Sequence, residues 1–402
     1  MWEQIRSNQI RSATLVAGMG LLLLAIGYFV GLYFFGNPIG GLIIALIIWA
    51  VMNLVALFQG DNILLGLSRA KKIGRDDLPR LYNVVEEMKI ASGLEKMPDI
   101  YIIDDPALNA FATGRDPNKA AVAITSGLLQ KLNRDELQGV IGHEMAHIKN
   151  RDVLLMAITG VLLGTIVILA WYATRMIFFG AIFGGRRSSS SGGGYGELII
   201  LALGIVLMIL APIIAQFIYF AISRKREYLA DASSALYTRY PEGLASALEK
   251  LGASTVQLKS ANKATAPMYI INPFRKKGMS ASDLTSTHPP VSERIRILRS
   301  MAGGASFADY DQGYRQVHKA DKGILPAPAL AATGAVGLRA AAPEAAQKEP
   351  GKVERARETS DLMWRHSDYK TIECDCGTRL RVPPKFKAPS VKCPRCGRIN
   401  RL

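Results

Sequence analysis

Four long runs of apolar residues dominate the pattern along the chain: residues 13–35, 39–58, 153–174 and 198–222. Each run has the roughly 20 residues that an α-helix needs to cross the hydrocarbon core of a bilayer. Helices in the core of a soluble protein are usually shorter and carry a polar stripe, which is missing from LVAGMGLLLLAIGYFVGLYFF in the first run. The pattern therefore predicts an α-helical membrane protein with four transmembrane helices.

The basic residues next to these runs favour one orientation. They precede the first and third runs and follow the second and fourth: Arg6, Arg11, Lys149 and Arg151, then Arg69, Lys71, Lys72, Arg75 and Arg224 to Arg226. The turn at 36–38 has no basic residue, although Arg175, Arg186 and Arg187 lie between the third and fourth runs and argue against this orientation. By the positive-inside rule, both termini and residues 59–152 are predicted in the cytoplasm of a multi-pass plasma (inner) membrane protein. The net charge of +16 fits such loops, and we expect no nucleic-acid partner.

Residues 59–152 have the pattern of a small α/β unit. DIYIID (99–104) and AAVAIT (120–125) are typical of strands, with a short edge strand predicted at 109–114. Asn133 to Glu136 have the spacing of a capping box, which predicts a helix from there to about residue 149.

The remaining segments differ in composition. The Gly/Ser-rich run at 184–196 predicts a flexible loop, and residues 223–318 are predicted to form a second part of the cytoplasmic unit. Residues 320–360 are rich in Ala, Pro and Glu and contain few large apolar residues. This composition predicts a flexible linker over residues 319–367. A small module, 368–402, follows it.

All four cysteines of the chain lie in this module, at Cys374, Cys376, Cys393 and Cys396. A C-x-C pair and a C-x₂-C pair separated by sixteen residues predict a zinc ribbon with one structural zinc, although the first pair is one residue short. Cytosolic placement argues against disulfides, and free or redox-active thiols are the alternative. The basic residues of the module are compatible with binding to a protein partner.

The sequence His143-Glu144-Met145-Ala146-His147 lies inside the predicted helix. Spacing i, i+4 places both imidazoles on one helical face, where they can share a tetrahedral metal, and Glu144 can take a proton from the attacking water. An isolated match of this kind can equally be two surface histidines beside a solvated glutamate. Because the chain has only five histidines, a pair at metal-ligand spacing favours the metal site.

Glu227 can complete such a site, because a catalytic zinc with two histidines needs an oxygen ligand and an open position. Asp231 follows one turn later on the same helical face and can accept the outer N–H of a ligand histidine. The alternative for Glu227 is a salt bridge within the basic run at 224–226.

Four motifs, in this order along the chain, resemble one family: NAFATG at 109–114, HEMAH at 143–147, EYLAD at 227–231 and THPPVSER at 287–294. Together they resemble the membrane-bound HtpX-type heat-shock proteases, relatives of the type I CAAX prenyl proteases. The resemblance covers about residues 1–318, and the tail beyond it is a departure. It implies a cytoplasmic α+β zincin domain of the gluzincin type.

The resemblance also implies roles for individual residues. His143, His147 and Glu227 would be the zinc ligands, Glu144 the general base and Asp231 the support of a ligand histidine. Substrate would pair as an extended strand with Asn109, Ala110, Phe111 and Ala112. His288 or Arg294 would stabilise the oxyanion, with a rigid turn as the alternative for His288.

The resemblance implies a zinc endopeptidase that cleaves misfolded or damaged membrane proteins, or unfolded polypeptides, in a stress response. His147 and Glu227 lie about six and five residues from predicted spans, which would place the zinc within roughly 10 Å of the lipid bilayer. One alternative is a CAAX-type processing protease, whose chamber needs more than four spans. Another is a membrane-anchored adaptor with an inactive core, which the presence of Glu144 disfavours.

Overall fold

The computed structural model describes residues 2–153, 224–259, 268–273, 288–301, 303–331, 334–340 and 350–367, and 369–402 apart from two positions. Residue 261 and ten single positions between 168 and 213 are also described. The predicted spans at 153–174 and 198–222, and the predicted loop at 184–196, lie wholly or almost wholly outside these residues.

Two long helices begin the chain, α1 (Trp2–Phe35) and α2 (Pro38–Leu67). The Asn37 side chain caps α2 by accepting a hydrogen bond from the amide of Ile39, and Pro38 fits the first turn because it needs no donor there. Within α2, Pro38–Val55 is long and apolar enough to cross a membrane, whereas the apolar stretch of α1 is shorter, Val16–Leu32. Among the described residues, one helix therefore meets the requirements of a membrane span.

The two helices approach each other closely at glycines. A Cβ on Gly41 would clash with the carbonyl oxygen of Gly27 and lie 2.6 Å from the Cα of Gly31. Small residues permit such contact between helices in lipid, where packing rather than water exclusion drives association. Large apolar side chains of α2, such as Ile43 and Ile47, are 53% and 56% exposed. The helix pair thus presents an apolar surface suited to a bilayer.

A four-stranded sheet follows directly. It contains β1 (Lys71–Ile73), β2 (Asp99–Ile103), β3 (Ala110–Gly114) and β4 (Ala120–Thr125) in the order β1-β2-β4-β3. Strands β2 and β4 are parallel, and the other two pairs are antiparallel. The three predicted strands are confirmed, and β3 is an edge of the sheet.

Helices cover the sheet and form the core with it. They are α3 (Pro79–Ser92), α4 (Ser126–Lys131), α5 (Arg134–Lys149), α6 (224–238), α7 (Pro241–Ala253), α8 (Val291–Arg299) and α9 (Phe307–His318). The predicted capping box begins α5: the Asn133 side chain accepts from the amide of Glu136, whose carboxylate accepts from the amide of Asn133. Most of α5 is buried, so this helix runs through the core.

The region predicted as a flexible linker differs from expectation. It contains α10 (Ala327–Ala331) and α11 (Lys352–Arg365). Leu362 and Thr359 of α11 are fully buried, and Arg365 donates to the carbonyl oxygen of Asp77 over 2.7 Å. Composition suggested no packed core, but α11 is amphipathic and uses the surface of the cytoplasmic unit as its packing partner.

A second part of this region, residues 334–340, is called the strap here because it ties three elements together. Arg339 donates to Asp135 Oδ1 at 2.7 Å and to Gln138 Oε1 at 2.8 Å, both on α5, and to the carbonyl oxygen of Thr238 at 2.8 Å. The carbonyl oxygen of Val336 accepts from the amide of Ala305. The strap therefore holds the start of α5 against the end of α6.

Arg339→Ala is expected to lower the free energy of unfolding by about 1–2 kcal/mol, because three acceptors lose a charged donor that is only partly solvent-screened. The midpoint of thermal unfolding in detergent measures this effect. Arg357→Ala, at an exposed position of α11, is the control. Equal midpoints for the two variants would show that the strap contributes nothing to stability.

The C-terminal module consists of two hairpins, β5 (Lys370–Glu373) with β6 (Arg379–Val382) and β7 (Ser390–Lys392) with β8 (Ile399–Arg401). Arg381 links it to α11, since its guanidinium donates to Asp361 over 2.8 Å and lies over the Trp364 ring. The module is thus connected to α11 by side chains as well as by the chain.

Candidate metal centres

Helix α5 places His143 and His147 one turn apart on its inner face. Their Nε2 atoms are 3.2 Å apart, and the rings are 0% and 3% exposed. Spacing i, i+4 dictates this arrangement once the helix forms. The two nitrogens therefore converge on one point inside the protein.

Helix α6 brings Glu227 to the same point. Glu227 Oε2 lies 3.6 Å from His143 Nε2, and Oε1 lies 3.5 Å from His147 Nε2. The helices come this close because Gly142 faces Ser234, whose hydroxyl donates to the carbonyl oxygen of Gly139 over 2.6 Å. A Cβ on Gly139 would lie 2.6 Å from the backbone of Leu244 in α7, so the close contact between α5 and α7 also depends on glycine.

These three side chains fit zinc. Tetrahedral coordination at about 2.0–2.1 Å separates two ligand atoms by roughly 3.3 Å, and the observed separations are 3.2, 3.5 and 3.6 Å. Glu227 Oε2 is buried and has no hydrogen-bond partner among the described residues. A cation between the three groups would satisfy it.

The outer ring nitrogens are held by carboxylates. His143 Nδ1 lies 2.9 Å from Asp231 Oδ1, as expected, and His147 Nδ1 lies 3.1 Å from Asp152 Oδ2. Each contact favours the tautomer with the proton on Nδ1, leaving the Nε2 lone pair for a metal. Sequence reasoning missed Asp152, which the chain returns to the site through a turn with a positive φ of 58° at Arg151.

Asp152→Asn and Asp231→Asn are each expected to weaken zinc binding by roughly 10–100-fold, the usual effect of losing a carboxylate behind a ligand histidine. Zinc titration in competition with a chromophoric chelator measures this, and zinc bound by the cysteines is common to all variants. Asp104→Asn is the exposed control. Wild-type affinity in Asp152→Asn would mean that His147 needs no such support.

Glu144 lies beside this point and is 1% exposed. Neither of its oxygens has a hydrogen-bond partner among the described residues. Burial raises the pKa of its carboxyl group, while the adjacent histidines and the backbone of Ala112 oppose the rise. A buried carboxylate with a raised pKa and no hydrogen-bonded side-chain partner among the described residues is suited to accept a proton.

Arg294 and His288, the two residues considered for oxyanion stabilisation, are both at the site. Arg294 is fully buried and donates to both oxygens of Asp231, at 2.8 Å from Nε and 2.7 Å from Nη2. His288 Nε2 lies 3.7 Å from Glu227 Oε2. Burial lowers the pKa of His288 to about 4, against the attraction of Glu227, so its imidazole is neutral near pH 7. Arg294 thus orients Asp231, and its Nη1 atom lies 3.6 Å from Glu227 Oε2, about as close as His288.

The edge predicted to bind substrate contacts another segment of the chain. The Asn109 side chain donates to the carbonyl oxygen of Ile271 over 3.1 Å, and the Ala110 carbonyl oxygen accepts from the amide of Ile270 over 3.0 Å. Phe111 forms an antiparallel bridge with Tyr269. Ala112, one residue further, lies near Glu144.

The four cysteines form a second cluster. Cys374 Sγ lies 3.5 Å from Cys396 Sγ, Cys376 Sγ lies 3.7 Å from Cys393 Sγ, and all four sulfurs are within 4.8 Å of one another. Tetrahedral zinc with bonds of about 2.3 Å separates its thiolates by roughly 3.8 Å. Gly377 and Gly397 adopt a φ of 78° and 75° directly after each cysteine pair, which lets the backbone turn around the sulfurs. The cluster therefore fits one Cys₄ zinc.

A mixed sheet, an HExxH helix crossing its core and a glutamate from a later helix together define a zinc metallopeptidase. The model of peptidase family M48 matches residues 76–302. The chain is 43% identical to a protease HtpX homolog of Streptococcus mutans, over 75% of this chain and all of that protein. It is 45% identical to a protease HtpX homolog of Dictyoglomus turgidum, over 75% of this chain and 94% of that protein. The chain belongs to peptidase family M48, and it is a membrane zinc metalloprotease.

A solved structure of S. mikatae Ste24p also aligns, with 21% identity and a TM-score of 0.40, over 74% of this chain and 67% of that one.

Proposed function

We propose that this protease cleaves misfolded or damaged membrane proteins at their cytoplasmic parts. The observation that supports this most is the direct junction between membrane helix and catalytic unit. Only residues 68–70 separate α2 from β1, and the Ser68 hydroxyl lies 3.2 Å from the hydroxyl of Tyr269, which packs on β3. Without a flexible linker, the site stays near the bilayer and meets membrane proteins first.

The proposed chemistry assigns each group a task. Zinc held by His143, His147 and Glu227 would supply Lewis acidity toward the scissile carbonyl. Glu144 takes the proton of the attacking water and delivers it to the leaving amine. The neutral imidazole of His288 donates to the developing oxyanion.

The membrane topology is part of this proposal. We propose four spans with both termini and the catalytic unit in the cytoplasm, supported by the four apolar runs and by the basic residues that flank them. Because HtpX-type proteases are relatives of the type I CAAX prenyl proteases, C-terminal processing is the alternative reaction.

Reconstitution in proteoliposomes tests the substrate class. A reporter with one membrane helix and an unfolded loop on the side of the catalytic unit should be cleaved faster than the same loop supplied as a soluble polypeptide. The Glu144→Gln variant gives the background. Equal rates for both reporters would contradict the preference for membrane proteins, and release of only a C-terminal tripeptide would favour processing.

We also propose that the module at 368–402 binds one structural zinc and serves as a platform for a protein partner. The purified chain is then expected to contain two zinc ions, and Cys393→Ser with Cys396→Ser one, because a segment this short buries too little apolar surface to fold without its metal. Elemental analysis per chain measures this. The double variant should still hydrolyse an unfolded polypeptide. A wild-type chain that contains only one zinc ion would contradict the proposed zinc site of the four cysteines.

A further inference from the structure

The open edge of β3 is held by a short piece of the chain itself. Residues 268–271, called the inner segment here, bridge antiparallel to this edge at Tyr269 and Phe111. The amide of Ile270 donates to the Ala110 carbonyl oxygen over 3.0 Å. An extended substrate that pairs with this edge would need the same backbone acceptor.

Two side chains of the site also bind the inner segment. Asn109 donates to the carbonyl oxygen of Ile271 over 3.1 Å, and Arg294 Nη1 donates to that of Ile270 over 3.0 Å. Successive peptide carbonyls are thus bound by Asn109, at the start of β3, and by Arg294, which contacts Glu227 and Asp231. A peptide entering along β3 would present its own carbonyls to these donors. The inner segment therefore makes the contacts of a bound peptide.

The catalytic groups are closed off from solvent in the same state. Glu144, Glu227 and His147 are only 1%, 2% and 3% exposed. Hydrolysis requires the scissile carbonyl of a substrate within contact distance of these groups. A substrate strand on β3 would have to take the place of the inner segment, which already uses the Ala110 carbonyl oxygen.

The inner segment is anchored by one aromatic side chain. Tyr269 is fully buried, its ring packs edge-on against Phe111 at 5.1 Å between centroids, and its hydroxyl lies 3.2 Å from the hydroxyl of Ser68. Ser68 is the residue that ends α2. The anchor therefore connects the edge of the catalytic sheet to the end of the membrane helix.

We propose that the inner segment is an internal competitor of substrate, which closes the site until it leaves the edge of β3. This deepens the proposed function, since it assumes that substrate pairs with β3. Opening depends on the Tyr269–Ser68 contact, so a change at the end of α2 alters how often the site is open. The apparent affinity for substrate is lower than the intrinsic affinity by the fraction of open molecules.

Hydrogen exchange of the full-length chain tests this directly. Zinc-loaded Glu144→Gln protein in detergent is compared with and without a saturating peptide hydroxamate, whose zinc-dependent binding is measured separately. The amide of Ile270 is expected to exchange at least tenfold faster in the complex, while β2 and β4 stay protected. Unchanged or stronger protection of residues 268–271 in the complex would overturn the proposal.

Tyr269→Phe provides a second test that keeps the packing of the ring. It removes the hydroxyl contact with Ser68 and is expected to raise kcat/KM for an unfolded soluble polypeptide about fivefold, through a lower KM with kcat little changed. Tyr101→Phe on β2 is the matched control. A folded Tyr269→Phe protein with unchanged or lower kcat/KM would overturn the proposal. Lack of preference for membrane reporters would instead affect only the proposed substrate class.

Discussion

Glu144→Gln is expected to lower the rate of peptide hydrolysis by at least 10²-fold while zinc content stays at the wild-type level. Glutamine has nearly the same shape but cannot accept a proton from water. Glu144 does not belong to the three converging ligand groups, and its two oxygens have no hydrogen-bond partner among the described residues. The substitution therefore removes a proton acceptor without opening the metal site.

Initial rates on an unfolded polypeptide and elemental zinc analysis measure both parts of this prediction. Glu95→Gln, at an exposed position between α3 and β2, is the matched control and should keep the wild-type rate. Substantial turnover by purified Glu144→Gln, with contaminating proteases excluded, would show that another group is the base.

Glu227→Ala is expected to reduce zinc affinity by more than about 100-fold, since it removes one of three ligands and so exceeds the loss from a supporting carboxylate. It also leaves two buried histidines without the carboxylate that lies 3.6 and 3.5 Å from their Nε2 atoms. Hydrolysis should then require zinc in large excess. Zinc titration and the zinc dependence of the rate measure these effects.

His288→Ala is the informative comparison for that prediction. His288 lies 3.7 Å from Glu227 but is assigned to the oxyanion, so its removal should lower the rate and leave zinc affinity near the wild-type value. Wild-type zinc stoichiometry and affinity in Glu227→Ala would mean that a different carboxylate completes the site.

Much of the site was predictable because it depends on interactions between residues that are close in sequence. The capping box starts α5 and the i, i+4 spacing sets the two histidines side by side, because both effects act within one or two helical turns. The short apolar segments at 99–104 and 120–125 predicted the two central strands for the same reason. In each case the residues that determine the structure are neighbours in sequence.

In residues 319–367, the amino-acid composition led to a wrong structural prediction. Residues 319–367 have few large apolar side chains, which predicted a flexible linker. Yet α11 packs against α4 with Leu362 buried, and Arg339 donates hydrogen bonds to α5 and α6. An amphipathic segment with too little apolar surface to fold alone can still pack when a preformed surface is available. Composition does not record whether such a surface exists.

The sequence alone determined the apolar runs, the HExxH helix, the glutamate and aspartate of α6 and the four cysteines of the tail. The tertiary structure decided that Asp152 supports His147, that Arg294 orients Asp231 and that residues 268–271 hold the edge of β3. These contacts join elements whose relative placement depends on how helices and sheet pack. Spacing along the chain specifies geometry within one helix or strand, whereas contacts between elements follow from burial and shape complementarity across the whole core.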